Sequence, residues 1–230
     1  GWVVVHDALT IAEWAAASGA GNGRPETAHE SDRSLLRTMT CIDGEVEMEM
    51  ECLPRFGYGI DAACWSGGEL GEAIAVGDDG TELRLTSDME LEIDGGAVRG
   101  SLRLREDESG FCALTWGNEH LGGPRSAPEA LERLDSTEEF WRHWLRDGKF
   151  PDHPWRIHLQ RSALVLKGLT YTPTGAIVAA PTTSLPETPG GERNWDYRFT
   201  WMRDSTFTLQ ALHFLNLDWE ADEFMQFVAD

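Results

Sequence analysis

The feature that most constrains the fold of this 230-residue chain is a change of hydrophobic period near Ala127. Before that point, apolar and polar residues alternate with a period of two, which is typical of half-buried β-strands. After it, the apolar residues recur at helical spacing, as expected for helices that bury one side. The sequence therefore predicts a β-rich part followed by a helical part.

The clearest strand is the stretch EVEMEMEC, in which Val46, Met48 and Met50 alternate strictly with glutamates. It follows Asp43-Gly44, a strong turn signal, so we predict an antiparallel hairpin across this turn. The glutamates would form the solvated side of the strand, although a row of evenly spaced carboxylates also suits a cation.

Similar short strands with turn signals between them continue to residue 116, including a DGG turn signal at 94–96. This spacing indicates an antiparallel β-sandwich. The polar, glycine-rich residues 18–33 are predicted to form a long loop.

The helical part is predicted to contain several helices. One opens at Asp135–Glu139 and ends at Gly148. The segment Trp155–Tyr171 is apolar on all sides, which favours a buried helix. Further along, a helix starts near Asp204, and another begins after Leu217-Asp218.

This order of elements divides the chain into a β-sandwich domain at 1–120, a helical linker at 121–153 and the beginning of a helical domain at 154–230. The chain is strand-like from Gly1 onward, and its last helical stretch has no C-cap signal. We therefore expect a fragment of a larger protein, with the start of the sandwich and most of the helical domain missing.

Charge and cysteine content restrict the partners and the compartment. The formal net charge is −21, and clustered basic residues are absent from the sequence, which argues against nucleic acid and anionic membranes as partners. This charge favours a neutral or cationic ligand. The four cysteines form no CxxC pair, and a chain of this size does not need disulfides, so we predict reduced thiols and a cytoplasmic location.

The candidate site is the stretch NWDYRFTWMRD at 194–204, which follows a Pro- and Gly-rich stretch at 172–193, predicted to be a loop. Aromatic side chains can cover the apolar faces of a sugar, and Arg and Asp can make charge-assisted hydrogen bonds to its hydroxyls. The segment therefore fits a carbohydrate pocket.

A purely structural interpretation of the same residues is also open. Asp204 would then be the N-cap of the following helix, and Trp195 and Trp201 would fill a helical core. Arg198 and Arg203 would simply pair with nearby acids.

The longer stretch GGERNWDYRFTWMRDSTFTLQAL resembles the first catalytic-domain motif of glycoside hydrolase family 15, which contains glucoamylases, glucodextranases and bacterial trehalases. The preceding RTMTCIDGEVEMEMECLPRFGYG and LERLDSTEEFWRHWL resemble the β-sandwich domain and the helical connector of the bacterial members. The wording TTSLPETPGGERNWDYR and the tail LDWEADEFMQFVAD are most similar to actinobacterial trehalases. The resemblance implies a β-sandwich, a linker and the first helices of an (α/α)6 barrel.

The resemblance also implies roles for the motif residues. Arg203 and Asp204 would bind the hydroxyls of the non-reducing glucose, and Tyr197 and Trp201 would lie near the catalytic water and the sugar wall. Three further motif residues would support them: Trp195, Asp196 and Arg198. The catalytic acid and base of the family are glutamates beyond Asp230, and neither Glu187 nor Glu192 matches their positions.

The implied reaction is inverting hydrolysis of an α-glucosidic bond, most closely that of α,α-trehalose to two glucose molecules. Glucoamylase or glucodextranase activity on α-glucans is the alternative within the family, and a non-catalytic carbohydrate-binding or assembly module is the alternative outside it. The implied partner is a small neutral sugar, and an exposed β edge would allow a homo-oligomer. The sequence requires no cofactor and shows no metal or phosphate site, although the resemblance implies a dependence on phosphate and Mg²⁺.

Overall fold

In a computed structural model, the chain is described at residues 1–11, 33–67, 71–117, 122–182 and 187–230, so most of the predicted 18–33 loop lies outside the described residues. The first part consists of antiparallel strands. Among the described residues, eleven strands precede the first α-helix, with a short 3-10 helix (Gly57–Gly59) after the fourth: β1 (Trp2–Leu9), β2 (Ser34–Asp43), β3 (Glu45–Cys52), β4 (Arg55–Phe56), β5 (Asp61–Ala62), β6 (Trp65–Gly67), β7 (Glu72–Val76), β8 (Glu82–Ser87), β9 (Glu90–Asp94), β10 (Ala97–Arg105) and β11 (Ser109–Trp116).

These strands form a sandwich, which confirms the prediction. One sheet has six strands in the order β1-β2-β11-β8-β7-β6, and the facing sheet has three in the order β3-β10-β9. Met39 and Cys41 of the large sheet pack against Met89 and Leu104, and all four side chains are buried. Alternation along each strand directs these apolar side chains into the space between the sheets.

The predicted hairpin across Asp43-Gly44 is wrong. Gly44 does turn the chain, with a φ of 72° that favours glycine. However, β2 pairs with β1 and β11, whereas β3 pairs with β10 in the other sheet. The turn therefore carries the chain from one sheet to the other, since alternation shows which side of a strand is apolar but not which strand lies beside it.

The row of glutamates on β3 lies on the solvated face, as predicted, and is balanced by arginines of β10. Glu45, Glu47 and Glu51 stand directly opposite Arg105, Arg103 and Arg99 in the strand register. The Arg99 Nη2 to Glu51 Oε1 distance is 2.8 Å. Cross-strand ion pairs of this kind contribute about 1 kcal/mol or less each.

The second part is helical, with one small two-stranded sheet. Its elements are α1 (Ala127–Asp147), α2 (Arg156–Gly168), β12 (Thr170–Tyr171), β13 (Ala176–Ile177), α3 (Met202–Phe214) and α4 (Trp219–Ala229). The helices predicted near Asp204 and after Leu217-Asp218 are confirmed as α3 and α4.

The predicted helix start at Asp135–Glu139 is wrong, because these residues lie in the middle of α1. The chain begins the helix earlier, at a capping arrangement of the S-x-x-E type. The Glu129 backbone N–H donates to Ser126 Oγ at 3.4 Å, and the Glu129 carboxylate accepts from the Arg125 backbone N–H at 2.9 Å. The predicted end at Gly148 is confirmed.

The structure divides into two compact units, Gly1–Phe140 and Trp141–Asp230. In the first, Ala130 and Leu134 of α1 pack against Leu36, Phe111 and Ala113 of the six-stranded sheet. The three-domain division at 1–120, 121–153 and 154–230 stays a prediction.

The predicted burial of the Trp155–Tyr171 helix is wrong. In α2 only Ala163 is buried, while Ile157 is 73% exposed and Val165 is 56% exposed. The apolar residues surround the helix, but among the described residues its neighbours, which include α3, α4 and β12, leave much of it exposed.

A buried polar cluster in the second unit joins α2, α4 and the last turns of α1. Glu220 of α4 is 1% exposed; its Oε1 forms an ion pair with Lys167 Nζ of α2 at 2.9 Å and accepts a hydrogen bond from Trp144 Nε1 of α1 at 3.1 Å. A buried carboxylate is stable only when paired in this way.

Two observations bear on the sequence predictions about environment. Among the helices that the structure describes, none is both long enough and apolar enough to cross a membrane. All four cysteines lie in the described ranges and carry free thiols, as predicted.

Candidate functional site

The motif 194–204 runs from a loop into the start of α3 and is held by the chain that follows β13. The backbone N–H of Ala180 donates to the Tyr197 carbonyl at 2.9 Å, and that of Ala179 donates to the Phe199 carbonyl at 3.2 Å. These two donors lie in the stretch predicted only as a loop. The short apolar run after Thr174-Gly175 was the sequence signal for a paired segment there.

Asp196 and Arg198 form a closed local arrangement at the start of the motif. Arg198 Nη2 donates to Asp196 Oδ2 at 2.6 Å, and its Nε donates to Oδ1 at 3.0 Å. The Arg198 backbone N–H also donates to Oδ1, at 3.0 Å. These hydrogen bonds, those from the Arg198 side chain first, lower the pKa of the Asp196 carboxyl from 3.8 to about 2, so this carboxyl is ionised at neutral pH.

Trp201 connects this pair to the rest of the motif. Its indole Nε1 donates to the backbone carbonyl of Asp196 at 3.2 Å. Its ring lies beside that of Tyr197, with 5.5 Å between the ring centroids and 30° between the planes. The two rings form an ordered, half-buried aromatic pair.

Arg203 and Asp204 form a second ion pair at the first turn of α3. Arg203 Nη2 donates to Asp204 Oδ2 at 3.0 Å, and its guanidinium carbon lies 5.7 Å from the centroid of the Trp201 ring. Within the described part of the chain, Asp204 Oδ1 and Arg203 Nη1 make no hydrogen bond. One acceptor and one donor are therefore available side by side at the start of α3.

The purely structural interpretation of these residues fails at two positions. Asp204 is not the N-cap, because Trp201 precedes the helix and Asp204 lies inside its first turn. Trp195 does not fill a core, since it is 53% exposed. Arg198 and Arg203 do pair with neighbouring acids, and this part of that interpretation is correct.

The metal and phosphate expected from the resemblance do not fit these residues. Among the described residues, no group of three or more His, Cys, Asp or Glu side chains could hold a metal ion. Arg198 and Arg203 each face a carboxylate, so the motif offers no net positive charge for phosphate.

The two acids beside the motif do not join it. Glu187 pairs with Arg193, with 3.5 Å between Oε2 and Nε, and both side chains are mostly exposed. Glu192 is exposed as well. Neither of these carboxylates contacts the Arg203–Asp204 pair.

Comparison with known proteins gives consistent results for both parts of the chain. Residues 155–230, which contain the motif, match the sequence model of glycosyl hydrolases family 15. The whole chain aligns with a trehalase of Mycolicibacterium smegmatis at 48% identity and with one of Mycobacterium tuberculosis at 47%, covering 35% of each relative. A trehalase of Thermoplasma volcanium is 34% identical over 80% of this chain and 29% of its own length.

The chain thus spans about a third of the length of these curated relatives. The similarity extends over the β-sandwich as well as the motif, because the two mycobacterial alignments cover 100% of the chain. Residues 155–230 thus resemble glycosyl hydrolases family 15, and the chain is similar to trehalases along its whole length.

Proposed function

We propose that the whole protein carrying this chain is an inverting glycoside hydrolase that converts α,α-trehalose into two glucose molecules. The observation that carries the proposal is the Arg203–Asp204 pair, which presents an adjacent donor and acceptor beside the Trp201 ring. The names of the similar proteins support trehalose as the substrate.

In this proposal the chain binds the non-reducing glucose. Arg203 donates to one sugar hydroxyl, and Asp204 accepts from another, through charge-assisted hydrogen bonds. Tyr197 and Trp201 form the wall beside the sugar and the attacking water. These contacts contribute to the rate to the extent that they strengthen in the transition state.

The bond-breaking groups belong to a part of the protein outside these 230 residues. An inverting hydrolase needs a carboxylic acid that protonates the leaving oxygen and a carboxylate that activates water on the opposite face, about 6.5–9.5 Å apart. Glu187 and Glu192 are exposed to solvent and lack the enclosed setting that a general acid needs. We therefore assign to this chain the holding of the sugar and not its cleavage.

The same proposal covers organisation and location. A sandwich at 1–120 and a linker at 121–153 would precede the first helices of an (α/α)6 barrel at 154–230. The free thiols support a reducing, cytoplasmic location. An exposed β edge of the sandwich would be the surface through which a homo-oligomer forms.

A substrate panel tests the reaction. The whole protein is incubated with trehalose, maltose, starch and dextran, and the released glucose is followed by NMR, which distinguishes its anomers. We expect turnover of trehalose with β-glucose released from one ring. Turnover of starch or dextran without trehalose would assign a glucoamylase or glucodextranase, and no turnover of any sugar would favour a binding module.

Asp204→Asn tests the site. The substitution keeps the shape of the side chain but removes its charge, so we expect kcat/KM to fall about a hundredfold, equivalent to about 3 kcal/mol. Asp222→Asn is the matched control, because Asp222 occupies the first turn of α4 and is exposed. If the two variants were equally active, Asp204 would have no role in sugar binding and would only stabilise the start of α3.

A further inference from the structure

We infer that Asp196 and Arg198 are positioning residues of this site: their ion pair sets the location of Trp201 and, through Trp201, that of Arg203 and Asp204. This inference rests on the proposed function, because the residues that are positioned, Arg203 and Asp204, are the proposed sugar-binding pair. It concerns the geometry of the motif loop and the start of α3.

Asp196 closes the motif loop through its contacts with Arg198. Its carboxylate accepts from both the side chain and the backbone N–H of Arg198, and the shortest of these distances is 2.6 Å. A guanidinium fork that meets a carboxylate at two nitrogens fixes orientation as well as distance. The peptide plane between Asp196 and Tyr197 is therefore held in one orientation.

The peptide between Asp196 and Tyr197 positions Trp201. The carbonyl of Asp196 accepts the indole N–H at 3.2 Å, so the orientation of this peptide locates the ring. The backbone carbonyl of Trp201 in turn accepts the Ser205 N–H at 2.9 Å, the first hydrogen bond of α3. A displaced Trp201 would thus displace the helix start on which Arg203 and Asp204 lie.

Trp201 in turn contacts Arg203. The guanidinium carbon lies 5.7 Å from the ring centroid, within the range of a cation–π interaction. This contact orients Arg203 while its Nη2 and Nε hold Asp204. Four successive contacts therefore join Arg198 to Asp204.

The chain offers a matched pair that lacks these connections. Glu187 and Arg193 also form an ion pair in the preceding loop. The distance from Arg193 Nε to Glu187 Oε2 is 3.5 Å, and the Glu187 and Arg193 side chains are 61% and 73% exposed. Neither has a contact to Trp201 in the described structure. Glu187→Gln is therefore the control for loss of a loop ion pair without loss of positioning.

The experiment measures steady-state kinetics of the whole protein with trehalose for Asp196→Asn, Arg198→Lys and Glu187→Gln. We expect the first two to lower kcat/KM about tenfold or more, because a small misplacement of binding groups slows a reaction by such factors. Arg198→Lys keeps the positive charge but removes the planar guanidinium that binds Asp196 through two nitrogens. A lower kcat/KM in this variant would therefore show that geometry matters and not charge alone. Glu187→Gln is expected to match the wild type.

A second readout reports Trp201 directly. The indole ¹H–¹⁵N signal of Trp201 is assigned by its disappearance in Trp201→Phe, and we expect this signal to shift in Asp196→Asn but not in Glu187→Gln. If the ion pair only stabilised the fold, its loss in Asp196→Asn would lower the melting temperature without moving the Trp201 signal. Wild-type kinetics, or an unmoved Trp201 signal, in Asp196→Asn would overturn the inference.

The outcome for Asp204→Asn separates this inference from the proposed function. If Asp204→Asn abolishes turnover while Asp196→Asn and Arg198→Lys keep it, the sugar site stands and the positioning role is wrong. If Asp204→Asn has no effect on trehalose turnover, the proposed site itself is wrong, and with it the inference.

Discussion

Asp196 illustrates how a single residue can use both its side chain and its backbone. The carboxylate binds Arg198, and the carbonyl binds Trp201. The residue type was sufficient to predict pairing of an Asp with a neighbouring Arg, because such pairs form within a few positions. The bond from its carbonyl to an indole five positions away depends on how the loop folds.

The ionisation of Asp196 predicts a pH dependence. Its pKa is lowered in the folded chain from 3.8 to about 2, so the stabilising effect of the carboxylate is present above about pH 4 and is lost as the pH falls toward 2. We expect the difference in melting temperature between wild type and Asp196→Asn to shrink over this range. Thermal unfolding at low ionic strength measures it, and a difference that persists at pH 2 would contradict the assignment.

At the scale of the element, local signals located helices and strands but not always their starts. The helix α1 begins at Ala127 because Ser126 and Glu129 satisfy its first backbone groups. The acidic run Asp135–Glu139 looked like a start, since acids favour the first turn of a helix. Inside α1, Asp135 and Glu139 are exposed to solvent.

The cap of α1 predicts a difference between two serines. Ser126→Ala should lower the free energy of unfolding by about 1 kcal/mol, because it removes the capping oxygen. Ser136→Ala, within the helix, should leave the free energy unchanged or raise it slightly, since alanine is the better helix former. Chemical denaturation of both variants tests this. A larger loss of unfolding free energy in Ser136→Ala than in Ser126→Ala would indicate a helix start near Asp135.

At the scale of the whole molecule, contacts distant in sequence determine which groups are buried. Trp144 and Glu220 are separated by 76 positions along the chain, yet they share one hydrogen bond in the second unit. No local pattern marked Glu220, which precedes other acids in a helix start, as a buried residue.

The buried Lys167–Glu220 pair predicts non-additive substitutions. Lys167→Met alone should lower the free energy of unfolding by about 3 kcal/mol, because it leaves a carboxylate buried without its cation. Lys167→Met combined with Glu220→Leu should recover much of this loss, since two apolar side chains need no partner. A double-mutant cycle by chemical denaturation checks the coupling, and additive effects would show that the pair is solvated.

The period of the apolar residues was sufficient to predict the β-sandwich and the helices, because side chains alternate in strands and repeat each turn in helices whatever their neighbours. The pairing of Arg203 with a nearby acid was also predictable, since opposite charges lie next to each other in the sequence; the role of Arg203 and Asp204 in sugar binding stays a prediction. The pairing of β2 and β3 with different partners, the exposure of α2, the burial of Glu220 and the bond from Asp196 to Trp201 depended on the tertiary structure. Each of these involves groups brought together from separate parts of the chain, and a local pattern contains no information about its distant neighbour.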